Sequence, residues 1–131
     1  MGIRTAVPRV AMAYVASLRE EALGFPEAWA DHPWDHWVAK VRKKVFVFLD
    51  QDHAIKGAIR MSLKLPHTGD MALSLPFATP TGYGLGKAGW VSFSMKPQDV
   101  PPISIAKAWL RESYVAVAPK TLAQQLPSEG A

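Results

Sequence analysis

One stretch, residues 59–65, constrains the fold of this chain more than any other, because apolar and polar side chains alternate along it. The apolar positions are Ile59, Met61, Leu63 and Leu65, and the polar positions are Arg60, Ser62 and Lys64. Successive side chains of a strand point to opposite faces, so this period of two predicts a sheet with one buried face and one wet, basic face. Two short apolar segments before it, 37–41 and 45–49, complete a predicted three-strand meander.

The flanking segments predict the cover for the buried face. Residues 8–23 carry apolar side chains at helical spacing and end at Gly24 and Pro26, whereas Pro101-Pro102 begins a second long helix that ends at Pro119. A fourth strand is predicted for 90–95 and a short helix for 70–75. Residues 24–36 and 76–89 are interpreted as a connector and a long loop. We therefore predict an α+β fold, an antiparallel sheet of about four strands packed against N- and C-terminal helices.

The chain length of 131 residues favours a single domain spanning 1–131, with a core of about 8–126 and short flexible tails. No run of about 18 apolar residues is present, so no membrane span is expected. The N-terminus lacks the apolar core of a signal peptide. The absence of cysteine excludes disulfides and fits the cytoplasm, which is the compartment that we expect. We expect a monomer or a weak dimer.

Positive charge is concentrated on the predicted meander. The whole chain has a net charge of +4, yet residues 40–64 alone carry seven basic side chains against two acidic ones, Asp50 and Asp52. A patch of this kind favours a polyanionic partner such as nucleic acid. The alternative is an ordinary solvated sheet surface.

No catalytic or cofactor signature accompanies this charge, and we predict a non-enzymatic protein without cofactor or bound metal. The nearest approach to a metal cluster is Asp31, His32, Asp35 and His36, but the prolines around it oppose a regular helix and no distant ligand completes the set. The stretch from Gly84 to Gly89 formally matches the dinucleotide-binding fingerprint. It lacks the strand before and the helix after that the fingerprint needs, so its glycines are interpreted as allowing the loop to approach the sheet edge.

Several short motifs in a fixed order resemble the MmcQ/YjbR family over roughly residues 10–126. The motifs are Pro33-Trp34, the pair Lys40 and Lys44-x-Phe46, Arg60-Met61-Ser62-Leu63-Lys64 followed by Pro66, Tyr83-x-Leu85-x-Lys87-x-x-Trp90, and Ser113-Tyr114. The chain departs from the family pattern at Gly89, where a His is usual, and at Asp35, where a Gly is usual. The resemblance implies a frataxin-like (CyaY-like), double-wing type two-layer sandwich and a DNA-binding function.

Two functional hypotheses follow. In the first, the basic sheet face and turn bind DNA through the side chains Lys40, Arg42, Lys43, Lys44, Arg60, Lys64, Lys87 and Trp90. In the second, the protein binds a small molecule, including a drug, or a protein partner, in an aromatic pocket formed by Trp34, Tyr83, Trp90 and Trp109. Aromatic residues of this kind also serve as ordinary core.

Overall fold

A computed structural model describes residues 9–33, 36–52, 58–82 and 85–127. In this part of the chain, six antiparallel strands form one sheet in the order β1-β2-β3-β4-β6-β5. The strands are β1 Ala28–Asp31, β2 Val38–Val41, β3 Lys44–Asp52, β4 Ala58–Lys64, β5 Ala78–Pro80 and β6 Trp90–Met95. The helices are α1 Arg9–Leu23, α2 Gly69–Leu73, α3 Ile103–Val117 and α4 Lys120–Ala123, with 3₁₀ helices at Leu85–Ala88 and Pro97–Asp99.

The alternation of β4 separates the two faces of the sheet as the sequence predicts. Ile59, Met61 and Leu63 are buried, and they lie in one core with the inner side chains of α1 and α3. The opposite face carries Arg60 and Lys64, and we call it the open face. The helices that the structure describes pack against the face opposite to it. The sheet therefore has one covered face and one open face.

A β-bulge in β3 explains why two successive residues, Phe46 and Val47, are both apolar. Ala39 of β2 pairs with Val47 and the next residue, Lys40, pairs with Val45, so Phe46 is the extra residue. A bulge redirects side chains on its strand. Both Phe46 and Val47 are fully buried in the core, whereas Val45 shares the open face with Lys40.

Three neighbouring residues of α3 attach this helix to the rest of the fold. The Ser113 hydroxyl donates to the Phe46 carbonyl oxygen at 2.5 Å and accepts from the Lys64 N–H at 2.8 Å. The Tyr114 hydroxyl donates to a backbone carbonyl before β1 at 2.7 Å, and its ring meets that of Phe46 edge to face. The Glu112 carboxylate accepts from the backbone and the side chain of the turn before α2.

The first helix is fixed to the chain just before α3 by a half-buried phenol. The Tyr14 hydroxyl donates to the Pro101 carbonyl oxygen at 2.7 Å. Burial raises the pKa of Tyr14 to about 12, because the charged phenolate loses solvation in this environment. The neutral phenol is therefore the form that suits the folded chain.

The glycine-rich loop lies close to the edge of the sheet, in accordance with its interpretation. A Cβ at Gly86 would come within 2.9 Å of the Pro80 Cβ at the end of β5, which leaves no room for a side chain. Gly89 has φ +91°, in the left-handed region that favours glycine. Its carbonyl oxygen accepts from the Leu65 N–H at 2.8 Å, and this bond fixes the loop beside the end of β4.

The α+β class, the antiparallel sheet and the packing of N- and C-terminal helices on it are confirmed. The predicted count of about four strands is wrong, because the sheet has six. The two additional strands, β1 and β5, lie in segments that were interpreted as a connector and a loop. Both are short edge strands, and β5 ends in Pro80, which an edge position tolerates. No helix among the described residues is long and apolar enough to cross a membrane.

Candidate nucleic-acid interface

Strand order brings most of the predicted nucleic-acid-binding side chains to one end of the sheet. In an antiparallel sheet, the start of β3, the end of β4 and the start of β6 lie at the same end. The cations at this end, which we call the basic end, are Arg42, Lys43, Lys44, Lys64 and the neighbouring Lys87 of the 3₁₀ helix. Trp90 lies directly opposite Lys64 in the pairing of β4 with β6. Lys43, Lys44 and Lys87 are exposed, and Lys64 is half-buried.

Arg42 is paired with an acidic side chain. Its Nε and Nη2 donate to the two carboxylate oxygens of Glu27, at 3.2 and 3.4 Å. Arg42 and Glu27 both have positive φ, 55° and 58°, in the left-handed region that non-glycine residues rarely adopt. The hydrogen bond that Arg42 donates to Glu27, reinforced by the negative charge of Glu27, raises the pKa of Arg42. The Arg42 charge is therefore largely balanced within the protein.

Lys40 is neutralised in the same way. Its ammonium lies 2.7 Å from Asp31 Oδ2 and 5.1 Å from the centre of the Trp29 ring. The hydrogen bond from Lys40 is the main cause that lowers the pKa of Asp31, followed by a bond from the His32 N–H. Two of the eight predicted binding residues, Lys40 and Arg42, thus have carboxylate partners on β1 or just before it.

The residues considered for a metal site serve other contacts. Asp31 accepts from Lys40 and from the His32 backbone, and the His36 ring hydrogen-bonds Asp50 at 3.0 Å. Asp35 lies outside the described residues. Within the ranges that the structure describes, no three His, Asp or Glu side chains form a group able to hold a metal ion.

Arg60 lies on the open face but away from the basic end. It pairs with Asp50 on β3 and Ser94 on β6, four residues along β4 from Lys64. That separation is roughly 13 Å at the usual rise of a strand. Arg60 and nearby hydroxyls line a depression of about 340 Å³, whose other lining residues are Ser62, Pro76, Phe77, Thr79, Ser92, Phe93 and Ser94.

From Trp90 at the basic end, an aromatic pair and a row of hydroxyls extend along the open face towards Arg60. The rings of Phe48 and Trp90 approach edge to face, with centroids 6.1 Å apart. Ser62 Oγ lies 2.8 Å from Ser92 Oγ, which lies 2.9 Å from Thr81 Oγ1. Sequence reasoning did not include Phe48 or these hydroxyls in the site. The signal was present, because Ser62 and Ser92 occupy the polar positions of two alternating strands.

The structure places the two described residues of the predicted aromatic pocket on opposite faces of the sheet. Trp90 lies on the open face, whereas Trp109 is 7% exposed and stacks on Phe93 in the core at 4.5 Å. Trp109 forms part of a separate groove of about 960 Å³ between α2 and α3. The other two members, Trp34 and Tyr83, lie outside the described residues.

Comparison with known proteins places the chain in a family. The crystal structure of Deinococcus radiodurans protein DR2400, a DUF419 domain, is similar to it, with a TM-score of 0.65 and 27% identity. The likeness covers 88% of this chain and 92% of that one. No curated protein matches the chain. The model of the YjbR family matches residues 23–116, from the end of α1 to the last turn of α3. This match spans the whole sheet, and the chain therefore belongs to the YjbR family.

Proposed function

We propose that this protein is a non-enzymatic nucleic-acid-binding protein that uses the basic end and the adjoining open face. The observation that supports this proposal most strongly is the placement of Lys43, Lys44, Lys64 and Lys87 at one end of the sheet, where Lys64 lies opposite Trp90. Lysines of this kind bind phosphate oxygens and give affinity without sequence preference.

The pairing of Lys40 and Arg42 limits how strongly the basic end attracts phosphates. A cation already paired with a carboxylate releases few additional counterions when a phosphate arrives. Four lysines remain as the main contacts at this end. The logarithm of the binding constant should then fall with the logarithm of salt concentration with a slope of about −3 to −4, since each phosphate contact contributes about −0.7 to −0.9.

Fluorescence anisotropy of labelled oligonucleotides over a range of salt concentrations tests this proposal. The double variant K43Q/K44Q should weaken binding at low salt and reduce the magnitude of the salt slope by about 2. The matched control is K96Q/K120Q, which removes two exposed lysines that follow the far end of β6 and begin α4. Absence of binding to any oligonucleotide at low salt, or an equal loss in the control, would refute the proposal.

A second candidate function, binding of a small apolar molecule, is supported by the groove between α2 and α3. Its volume of about 960 Å³ lies at the upper end of the range for ligand pockets. Met71 is 77% exposed beside it, and Ile105 and Val115 are 45% exposed. Soluble proteins rarely expose several large apolar side chains next to each other unless that surface binds a partner or a ligand.

The fluorescent probe anilinonaphthalene sulfonate tests the groove. We expect enhanced fluorescence with the folded protein and a clear loss of signal in Met71→Glu. The control is Met12→Glu, which alters an exposed methionine of α1 outside the groove. If the two variants bind the probe as well as the parent protein does, the groove is not its site.

A further inference from the structure

We propose that the open face binds a single-stranded polynucleotide rather than a duplex, with Phe48 and Trp90 as a base-stacking pair and Arg60 in a phosphate and sugar subsite. This inference rests on the proposed nucleic-acid-binding function. It specifies the strandedness of the ligand and assigns roles to Phe48 and Arg60, which lie outside the basic end.

The first observation is the arrangement of the aromatic pair. Phe48 is on β3 and Trp90 on β6, with β4 between them. Strands two places apart are separated by roughly 9.6 Å, yet the ring centroids are only 6.1 Å apart. Both rings therefore extend towards β4, where Phe48 lies opposite Ser62 and Trp90 lies opposite Lys64. An edge-to-face contact uses one face of one ring, which leaves aromatic surface on this half-buried pair for a base.

The second observation is the polar depression beside this pair. Arg60, Thr79 and Ser94 are exposed in it, and Ser62 and Ser92 are half-buried. A guanidinium can donate two parallel bonds to a phosphate, and hydroxyls both donate and accept, as binding to sugars requires. The depression lies roughly 13 Å along the sheet from Lys64 at the basic end. A strand that contacts both regions passes over Phe48, which lies opposite Ser62, midway along β4 between Arg60 and Lys64.

The shape of the surface decides between a single strand and a duplex. Base edges of a duplex are read by an element that fits a groove about 12 Å wide. The aromatic pair instead lies within the face of a six-stranded sheet, which is about 24 Å across and cannot enter such a groove. Bases inside a duplex are also stacked on each other, whereas unpaired bases stack on side-chain rings. The lysines then follow the backbone, and the rings bind the bases.

Anisotropy titrations at one salt concentration with oligo-dT, oligo-U and a mixed-sequence duplex of the same length test this inference. We expect at least one single strand to bind more tightly than the duplex, and the ratio of DNA to RNA affinity then identifies which sugar is preferred. Trp90→Leu, which keeps an apolar side chain but removes the ring, should weaken single-strand binding by roughly 5- to 100-fold. Met12→Leu is the control, because Met12 is exposed on α1, which packs on the covered side of the sheet, and this change should leave binding unaltered.

Arg60→Gln gives an independent test at an exposed position, where misfolding is not expected. It should weaken single-strand binding and lower the magnitude of the salt slope by at most about 0.7. Tighter duplex binding that neither Trp90→Leu nor Arg60→Gln affects would overturn this inference and leave nucleic-acid binding in place. Failure to bind all three oligonucleotides would overturn both.

Discussion

Ser113→Ala is the most informative stability test, because one hydroxyl serves two backbone groups. It donates to the Phe46 carbonyl at 2.5 Å and accepts from the Lys64 N–H at 2.8 Å, and the side chain has no exposed surface. A buried polar group left without a partner costs roughly 1–3 kcal/mol. Because Lys64 is half-buried, we expect the free energy of unfolding to fall by about 2–4 kcal/mol, or roughly 6–16 °C in Tm.

Urea denaturation followed by circular dichroism measures this loss, and amide hydrogen exchange localises it. The Lys64 amide should exchange faster in the variant. The control is Ser104→Ala, at an exposed position of the same helix, which should change the free energy of unfolding by less than about 0.5 kcal/mol. If Ser113→Ala is as stable as this control and the Lys64 amide stays protected, the hydroxyl does not carry the two bonds assigned to it.

Three further predictions test the loop, the half-buried phenol of Tyr14 and the paired arginine, Arg42. Gly86→Ala should lower the free energy of unfolding by about 1–3 kcal/mol in urea, since its Cβ would lie 2.9 Å from the end of β5. Gly82→Ala, whose Cβ meets nothing within 4 Å, should have little effect, and equal losses would contradict the close approach. The pKa of Tyr14 is raised from its ordinary value of 10.0 to about 12, so its contribution to stability is complete below pH 10 and is lost as pH rises towards 12. Thermal unfolding from pH 8 to 12 should show a smaller decline in Tyr14→Phe than in the parent, and an unchanged decline would exclude this group as its source. Glu27→Gln frees Arg42 and should tighten oligonucleotide binding, with a salt slope steeper by about one, whereas unchanged affinity would show that the pair does not restrain the arginine.

The parts of the fold that the sequence predicts well are those whose periodicity reports burial. The alternation in β4 and β6 and the helical spacing in α1 and α3 each follow from one face meeting the core. The edge strands β1 and β5 have no such signal. They are four and three residues long, too short to show a period of two. They form because neighbouring strands offer free backbone groups.

The candidate site is predictable in composition but not in electrostatics. The density of cations in residues 40–64 correctly identifies the basic strands and turn of the sheet. It does not reveal that Glu27 and Asp31 neutralise Arg42 and Lys40, because both acids belong to the segment around β1, which was interpreted as a connector. Counting charges along a sequence treats each one as free. The pairing of strands determines which charges are free and which have a carboxylate partner.

Contacts on the covered side of the sheet also determine which side chains lie on the open face. Strict alternation through β3 would place Phe46 on the open face beside Phe48, close to the end of β4. The bulge turns Phe46 into the core and places the smaller Val45 beside Lys40. In an uninterrupted ladder the Lys64 N–H would donate directly to the Phe46 carbonyl, and the Ser113 hydroxyl now bridges these groups. A helix residue on the core side therefore stabilises the bulge that keeps a large ring out of the basic end, so that Ser113→Ala should also alter oligonucleotide binding without removing a charge.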